Sequence, residues 1–490
     1  MTLHSIHAAE SARTALDDQS GPNRQLAHPW PTLNYRALHG TIGEIVEAAC
    51  RRSEADPVAV LASCLAWLGA SIGPEPHLKI GDTRHPARLF FAKVGASSRA
   101  RKGTSEAPVQ RIFRCAEALQ SCTSALPPLP VSPGPLSTGE GILRAVRDPG
   151  DELDDDGAPL DPGVRDKRLL VIEGELGAPL KAAQREGNTL SAILRTLWDS
   201  GDAAPLTKSN RLRVTGAHVL LVGHITRPEL ADLLQRSDIW NGLANRILWL
   251  CVRRPKMVPV PETMPDSVVT ALARRLRDII DYASTVSEVT WSDEAKKFWI
   301  GLYPYLSVDH PGAFGAVTAR AEAQIQRLAL LYALIDRSAI IEYRHLLASV
   351  AVWDYASESA RLIFGGASQD PVCERVIAAL REGSLTQTEL NDRLSGHVPG
   401  ARLKRALEDL QACGQLSCTR DSTGGRPVTR WALRGREKAE KAKEHSAPGV
   451  VDTFSASSAY PADETLVARL ERLERDRAEA RLRMLGLQKC

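Results

Sequence analysis

Four short apolar runs mark the first half of the chain: Leu89-Phe90-Phe91-Ala92-Lys93-Val94, Leu169-Leu170-Val171-Ile172, His218-Val219-Leu220-Leu221-Val222 and Ile247-Leu248-Trp249-Leu250-Cys251-Val252. Compact runs without polar alternation are what strands buried on both faces require. Between them, residues 191–198 and 229–235 repeat apolar positions at helical spacing, and a further helix is expected after Thr104. Strands alternating with helices predict an α/β core around a largely parallel sheet.

The flanking patterns divide the remainder. Residues 1–29 are polar and are expected to form a disordered arm. Residues 30–85 read as a helical lead-in, on Ile45, Val46, Val58, Leu61, Leu65, Leu68 and Ile72. The core spans 86–256, with an Asp-, Pro- and Gly-rich surface excursion at 147–167. Residues 257–365 read as an all-α subdomain, in which Ile325, Leu328, Ala329, Leu331, Tyr332 and Ile335 form one stripe. Residues 371–435 predict three helices and then a glycine-tipped hairpin, with Thr386-x-x-Glu389 spaced as a capping box. That order describes a winged helix-turn-helix. The tail, 436–490, carries an amphipathic helix with Leu466, Leu470, Leu473, Ala480, Met484 and Leu487 at heptad spacing, broken by Arg477.

Length allows several cores, since the chain has 490 residues. A net charge of +3 with 25% charged residues does not announce a nucleic-acid binder, so any such surface must be local. The nine cysteines lack a Cys-x-x-Cys spacing, which reads as reduced thiols rather than a metal site. No apolar run approaches the roughly 18 residues of a membrane span. A soluble, cytoplasmic protein without a membrane partner is expected.

Candidate chemistry collects where strands end. Between the first run and its helix lies Gly95-Ala96-Ser97-Ser98-Arg99-Ala100-Arg101-Lys102-Gly103-Thr104-Ser105. Small residues let backbone N–H groups converge on phosphate oxygens, a lysine neutralises the terminal phosphates, and a hydroxyl holds Mg²⁺. All three are present, although Ala100 stands where the usual phosphate loop has glycine and Gly103 follows Lys102. A basic surface turn is the alternative. The second run delivers Glu173-Gly174-Glu175, acids suited to a metal and to the attacking water, with a solvated turn as the alternative. The third leads into Gly223-His224-Ile225-Thr226-Arg227, the place for a γ-phosphate sensor such as His224. Arg246, before the fourth run, is either an arginine finger, in cis or toward a neighbouring subunit, or a helix-ending salt bridge. Lys208 and Arg211 sit in a candidate DNA-contacting loop, with an ordinary basic hairpin as the alternative. Arg320 and Arg327 either reach nucleotide across a lid or pair on their own helix with acids such as Glu322. In the C-terminal unit, Arg402, Lys404 and Arg405 would enter the major groove, while Arg420, Arg426 and Arg430 would meet phosphates from the wing. Winged helices also bind proteins.

Together these segments resemble the helicase-like RecA-type ATPases of phage, plasmid and mobile-element replication, a domain often fused to a primase-polymerase. The resemblance spans about residues 30–431. It rests on the loop just quoted, Ser137-Thr138-Gly139-Glu140-Gly141, Val171-Ile172-Glu173-Gly174-Glu175, Arg185-Glu186-Gly187-Asn188-Thr189-Leu190-Ser191, Trp198-Asp199, Leu206-Thr207-Lys208, Gly223-His224-Ile225-Thr226 and Asn241-Gly242-x-x-Asn245-Arg246. It implies a RecA-like P-loop-type core with ATP and Mg²⁺ as cofactors. Gly95, Ser97, Ser98, Arg101, Lys102, Gly103, Thr104 and Ser105 would then hold ATP, with Thr104 and Glu173 on the metal and Ser105 an alternative hydroxyl. The expected activity is that of an ATP-dependent, DNA-associated motor, helicase-like or origin-loading. Its expected partners are DNA, further copies of the chain, with a ring among the forms allowed, and a separate primase or replication protein. The alternative is a non-catalytic DNA-binding adaptor with a degenerate nucleotide site.

Overall fold

A computed structural model describes residues 29–95, 102–119, 127–183, 185–205, 212–233, 242–310, 312–364, 371–394, 398–412, 416–421 and 428–433. All described elements fall in the unit Pro31–Cys490. Residues 1–28 of the expected arm (1–29) and the heptad helix of the tail lie outside the described residues.

In chain order the strands are β1 His77–Ile80, β2 Thr83–Pro86, β3 Phe90–Gly95, β4 Val131–Ser132, β5 Arg168–Glu173, β6 His218–Thr226, β7 Ile247–Val252, β8 Glu288–Trp291, β9 Ile340–Ile341, β10 Leu385–Thr386, β11 Leu416–Asp421 and β12 Val428–Leu433. The chain is α/β, built on a five-stranded parallel sheet of order β4-β5-β6-β3-β7. The four apolar runs are β3, β5, β6 and β7. β4 was not expected, because two residues carry no periodicity.

Alternation separates the two faces of this sheet. Phe91, Leu170, Leu220, Val222, Leu248 and Leu250 belong to the main core with the Pro57–Ile72 helix. That helix is buried all round from Val58 to Ile72, so it packs as an interior element rather than an amphipathic one. Asp56 accepts the Val58 N–H at 2.8 Å and Pro57 stands in the first turn, which fixes where it starts. On the opposite face Leu221 and Ile247 meet Leu176, Leu180, Leu190 and Leu194 of the helices Gly177–Ala183 and Leu190–Asp199 and the turn before them.

A second sheet, of order β2-β1-β8-β9, corrects two expectations. The lead-in is not wholly helical, because β1 and β2 form an antiparallel hairpin. Nor is 257–365 all-α, because β8 and β9 extend that hairpin in parallel, His77 opposite Glu288 and Thr290 opposite Ile340. These strands have two to four residues, too short for alternation to be seen. The Ile325–Ile335 stripe is buried as expected.

The C-terminal unit holds the helices Pro371–Leu380, Gln387–Arg393 and Gly400–Ala412 and a sheet of order β10-β12-β11. They enclose a separate core that includes Val376, Leu390, Leu407, Leu410, Leu416 and Trp431. Both bonds of the Thr386/Glu389 capping box are present.

Candidate functional site

All five central strands point the same way, so their carboxyl ends share one edge. There Gly95 of β3 lies beside Thr226 of β6 and Val252 of β7. Glu173, the last residue of β5, lies beside Gly223, which in turn faces Ala92. Gly95 and Glu173 are therefore separated by β6, about 10 Å across the sheet. Ser97, Ser98 and Arg101 lie outside the described residues. The chain returns as a short 3-10 turn, Lys102–Ser105, that runs into the Glu106–Ala118 helix. This strand, loop and helix succession is the one expected. The Lys102 and Gly103 side chains are outside the described set.

Against Ser105 and Glu106 is a feature that the sequence did not suggest. Lys93, in the middle of β3, is fully buried. Its Nζ donates to Ser63 Oγ at 2.5 Å, Ser105 Oγ at 3.3 Å and Glu106 Oε2 at 3.3 Å. Glu106 also accepts Ser63 Oγ–H and Trp67 Nε1–H, each at 2.7 Å. Three acceptors around one amine match the three donors of an ammonium. Burial pulls the Glu106 carboxyl up, but Lys93, the two neutral donors and His224 outweigh it and hold it below its ordinary value. Burial pushes Lys93 down. The pair clamps the helix that follows the loop to the Pro57–Ile72 helix and occupies the Ser105 hydroxyl. Ser105 is buried while Thr104 is exposed in the same turn, so Thr104 is the hydroxyl presented outward. The one sign of this network in the sequence was a lysine inside an apolar run.

Glu173 is 3% exposed, yet it is held by backbone. Its Oε2 accepts the Leu136 N–H at 2.8 Å and its Oε1 the Glu175 N–H at 3.3 Å. Gly134, at φ +78°, passes so close that a Cβ there would lie 2.6 Å from Glu173 Oε2. Glycine meets both the positive φ and the approach. Glu175 is exposed.

His224 differs from expectation. β6 continues to Thr226, so His224 is a buried strand residue rather than part of a polar turn. It lies opposite Lys93 and on the same face, near enough to act on the Glu106 carboxyl. Glu173 alternates to the other face. The structure therefore does not bring His224 and Glu173 together, and the polar residue at the strand end beside Gly95 is Thr226.

Arg246 lies at the far edge. It precedes Ile247, which pairs with Phe90 at the start of the strands, on the order of 17 Å from the level of Gly95. This distance removes a cis role for Arg246 on a ligand at the carboxyl edge. Its guanidinium grips Asp199 through Nε–Oδ1 at 3.2 Å and Nη2–Oδ2 at 2.5 Å, so the salt-bridge alternative describes its present contact. Arg320 points to Asp199, at 3.4 Å, while Glu322 accepts from Ser307. Arg327 is buried, stacks 3.5 Å from the Trp198 ring centroid, and donates to the Arg88 and Trp198 carbonyls. Neither pairs with Glu322: Arg320 stands just before the Ala321–Ile335 helix, and Arg327 is on its buried side.

Of the expected DNA contacts, Arg402 and Lys404 are exposed on the Gly400–Ala412 helix. Arg430 instead lies in β12 opposite Thr386, donates to the Ser384 carbonyl at 3.2 Å and neighbours Glu389 at 3.7 Å, so it belongs to the packed sheet rather than the hairpin tip. Lys208, Arg211 and Arg426 lie outside the described residues, as do the side chains of Arg405 and Arg420.

Among the described residues one His/carboxylate cluster has metal-like spacing, formed by His39, Asp336 and His345. Its hydrogen bonds argue against a metal. His345 Nδ1 accepts the Glu342 N–H at 3.0 Å, while its Nε2 meets Asp336 Oδ2 at 3.0 Å and Arg344 Nε at 3.3 Å. A ligating imidazole donates from its remote nitrogen instead. The described cysteines are free thiols. No described helix is long and apolar enough to cross a membrane.

No protein-family model matches the chain, and no curated protein matches it.

Proposed function

We propose that the carboxyl edge of the parallel sheet is an ATP·Mg²⁺ site of a RecA-like P-loop-type ATPase, and that the chain is an ATP-dependent, DNA-associated motor. The observation that carries this reading is the strand order. β6 stands between the strand entering the Gly95–Thr104 loop and the strand ending in Glu173. That spacing leaves room for a terminal phosphate, its metal and a water between a loop on one side and an acid on the other. A RecA-like core is expected to have this insertion.

In this reading Lys102 neutralises the terminal phosphates and Thr104 ligates Mg²⁺, with Ser105 excluded by its bond to Lys93. Glu173, oriented by the Leu136 and Glu175 amides, holds the metal through water, and Glu175 orients or deprotonates the attacking water. Thr226 takes the sensing place first assigned to His224. The C-terminal unit acts as a winged helix that presents Arg402 and Lys404 to DNA. Three helices, the capping box and the three-stranded sheet support that assignment.

The test is ATP turnover with and without single-stranded DNA for the native chain, Lys102→Ala, Thr104→Val and Glu173→Gln. DNA should stimulate the native chain, and each substitution should lower turnover on the order of 100-fold, the scale for one group that stabilises charge in the transition state. Turnover indifferent to Lys102→Ala and Glu173→Gln would sink the motor. DNA binding without any turnover would favour an adaptor, a reading supported by the glycine missing before Lys102 and by the engagement of Arg246 with Asp199.

A further inference from the structure

At the amino edge of the sheet, Arg246, Arg320 and Arg327 converge on the Trp198 ring, at 5.6, 5.3 and 3.5 Å from its centroid. Arg88 lies against the same helix end, with Nη1 3.4 Å from the Asp199 carbonyl. These four guanidiniums are tied down very unequally. Arg88 and Arg327 are buried and donate to backbone carbonyls, which supply hydrogen bonds but no counter-charge, and Arg327 Nε has no hydrogen-bond partner among the described residues. Among the described residues Asp199 is the one carboxylate in contact with any of them. Exposed Asp202 acts on Arg88 from farther off and spends an oxygen on the Gly216 N–H.

Burying like charges together is costly unless an anion compensates. The surroundings record that cost. Burial first, then Arg88, pulls Arg327 well below its ordinary value, and burial with Arg246 lowers Arg320. Beside them His85 is pushed down to about 4 by burial, Arg327 and Arg88.

One side of the cluster is open. The Arg320 side chain is 36% exposed and the Asp199 side chain 42%. Among the described residues the Arg320 guanidinium makes no hydrogen bond; it has its 3.4 Å ion pair with Asp199 and its place over the Trp198 ring. Arg246 meets the same carboxylate as a fork, the geometry in which arginine also takes a phosphate.

We propose that Arg246 and Arg320 form a phosphate-binding site at the amino edge, distinct from the carboxyl edge, and that the Asp199 carboxylate is its internal stand-in. A phosphate group displaces Asp199 toward solvent and takes its place on the two guanidiniums. The buried Arg88 and Arg327 add attraction from beneath. The ligand is a phosphate oxyanion, supplied by a nucleotide or by a nucleic-acid backbone. This site does not depend on ATP hydrolysis at the other edge.

The test uses the full chain carrying Lys102→Ala throughout, which separates this site from the carboxyl-edge loop. Pyrophosphate binding is measured by calorimetry for that background and with Asp199→Asn, Arg320→Gln and both together. Asp199→Asn should tighten binding about 10-fold and Arg320→Gln weaken it about 10-fold, with the gain abolished in the combination. Equal binding in all four chains overturns the proposal, as does tightening by Asp199→Asn that survives Arg320→Gln. Arg320 is half-exposed, so Arg320→Gln is decisive even if Asp199→Asn fails to fold. Competition then separates the sources. Displacement of pyrophosphate by a labelled oligothymidylate, with the same ranking of variants, assigns a nucleic-acid backbone. Displacement by ATP alone assigns a nucleotide.

Discussion

A lysine in the interior of a buried strand persists only where its surroundings replace water completely. Lys93 meets that condition through Ser63, Ser105 and Glu106, and the pair is worth most as a pair. Removing one member strands the other, which costs about 3–5 kcal/mol, whereas replacing both with apolar residues of similar volume is often nearly neutral. Glu106→Leu alone should therefore lower stability by about 3 kcal/mol or more, and adding Lys93→Met should restore most of it. Urea denaturation of the singles and the double measures this coupling, and additive losses would contradict it. The network was illegible in the sequence for a physical reason. A charge inside an apolar run reads as an exposed position, and its counter-ion lay beyond a loop at Glu106. The place of Glu173 at the end of β5 was legible because the apolar run stops there, but its backbone partners at Leu136 and Glu175 were not.

Among the elements, those with strong local signals were read closely. β7 matches its apolar run residue for residue, and the Gln387–Arg393 helix begins where its capping box required. Thr386 accepts the Glu389 N–H at 3.2 Å and Glu389 returns to the Thr386 N–H at 2.7 Å. Thr386→Ala should cost the C-terminal unit about 1 kcal/mol. Faster amide exchange in residues 387–393, with the central sheet unchanged, is the expected signature; equal acceleration in both regions would contradict the unit's separate core. Where tertiary pairing decides, local pattern failed. β4, β8 and β9 are defined by pairing with a neighbouring strand, and β6 runs past its apolar stretch to Thr226 because it stays paired with β3 as far as Gly95.

At the scale of the molecule, the buried imidazoles set the response to acid. His218 is fully buried and its Nε2 meets the Gly69 carbonyl at 2.9 Å. Burial first, with Arg88 adding repulsion, pushes it from 6.5 down to about 3. The unfolded chain therefore takes up this proton first. Its contribution to stability is fully present above about pH 6.5 and is lost as pH falls toward 3, with a slope of up to about 1.4 kcal/mol per pH unit. Asp336, held below its usual range despite burial by His345 and His39, adds a loss that begins only in the carboxylate range. Urea midpoints at pH 7.5, 6 and 5 should fall for the native chain and fall less for His218→Gln. Parallel profiles would rule out His218 as the source.

The mixed sheet couples distant parts of the chain in time as well as space. β1 pairs with β8 at His77 opposite Glu288, a separation of 211 residues (288 − 77). At roughly 5–20 residues per second of synthesis, the β1–β2 hairpin waits on the order of 10–40 s before its partner strand is made. During that interval one edge of β1 offers unpaired backbone groups to any passing strand. Exposed Lys79, between the apolar Leu78 and Ile80, puts on this strand the kind of charge that discourages edge-to-edge pairing.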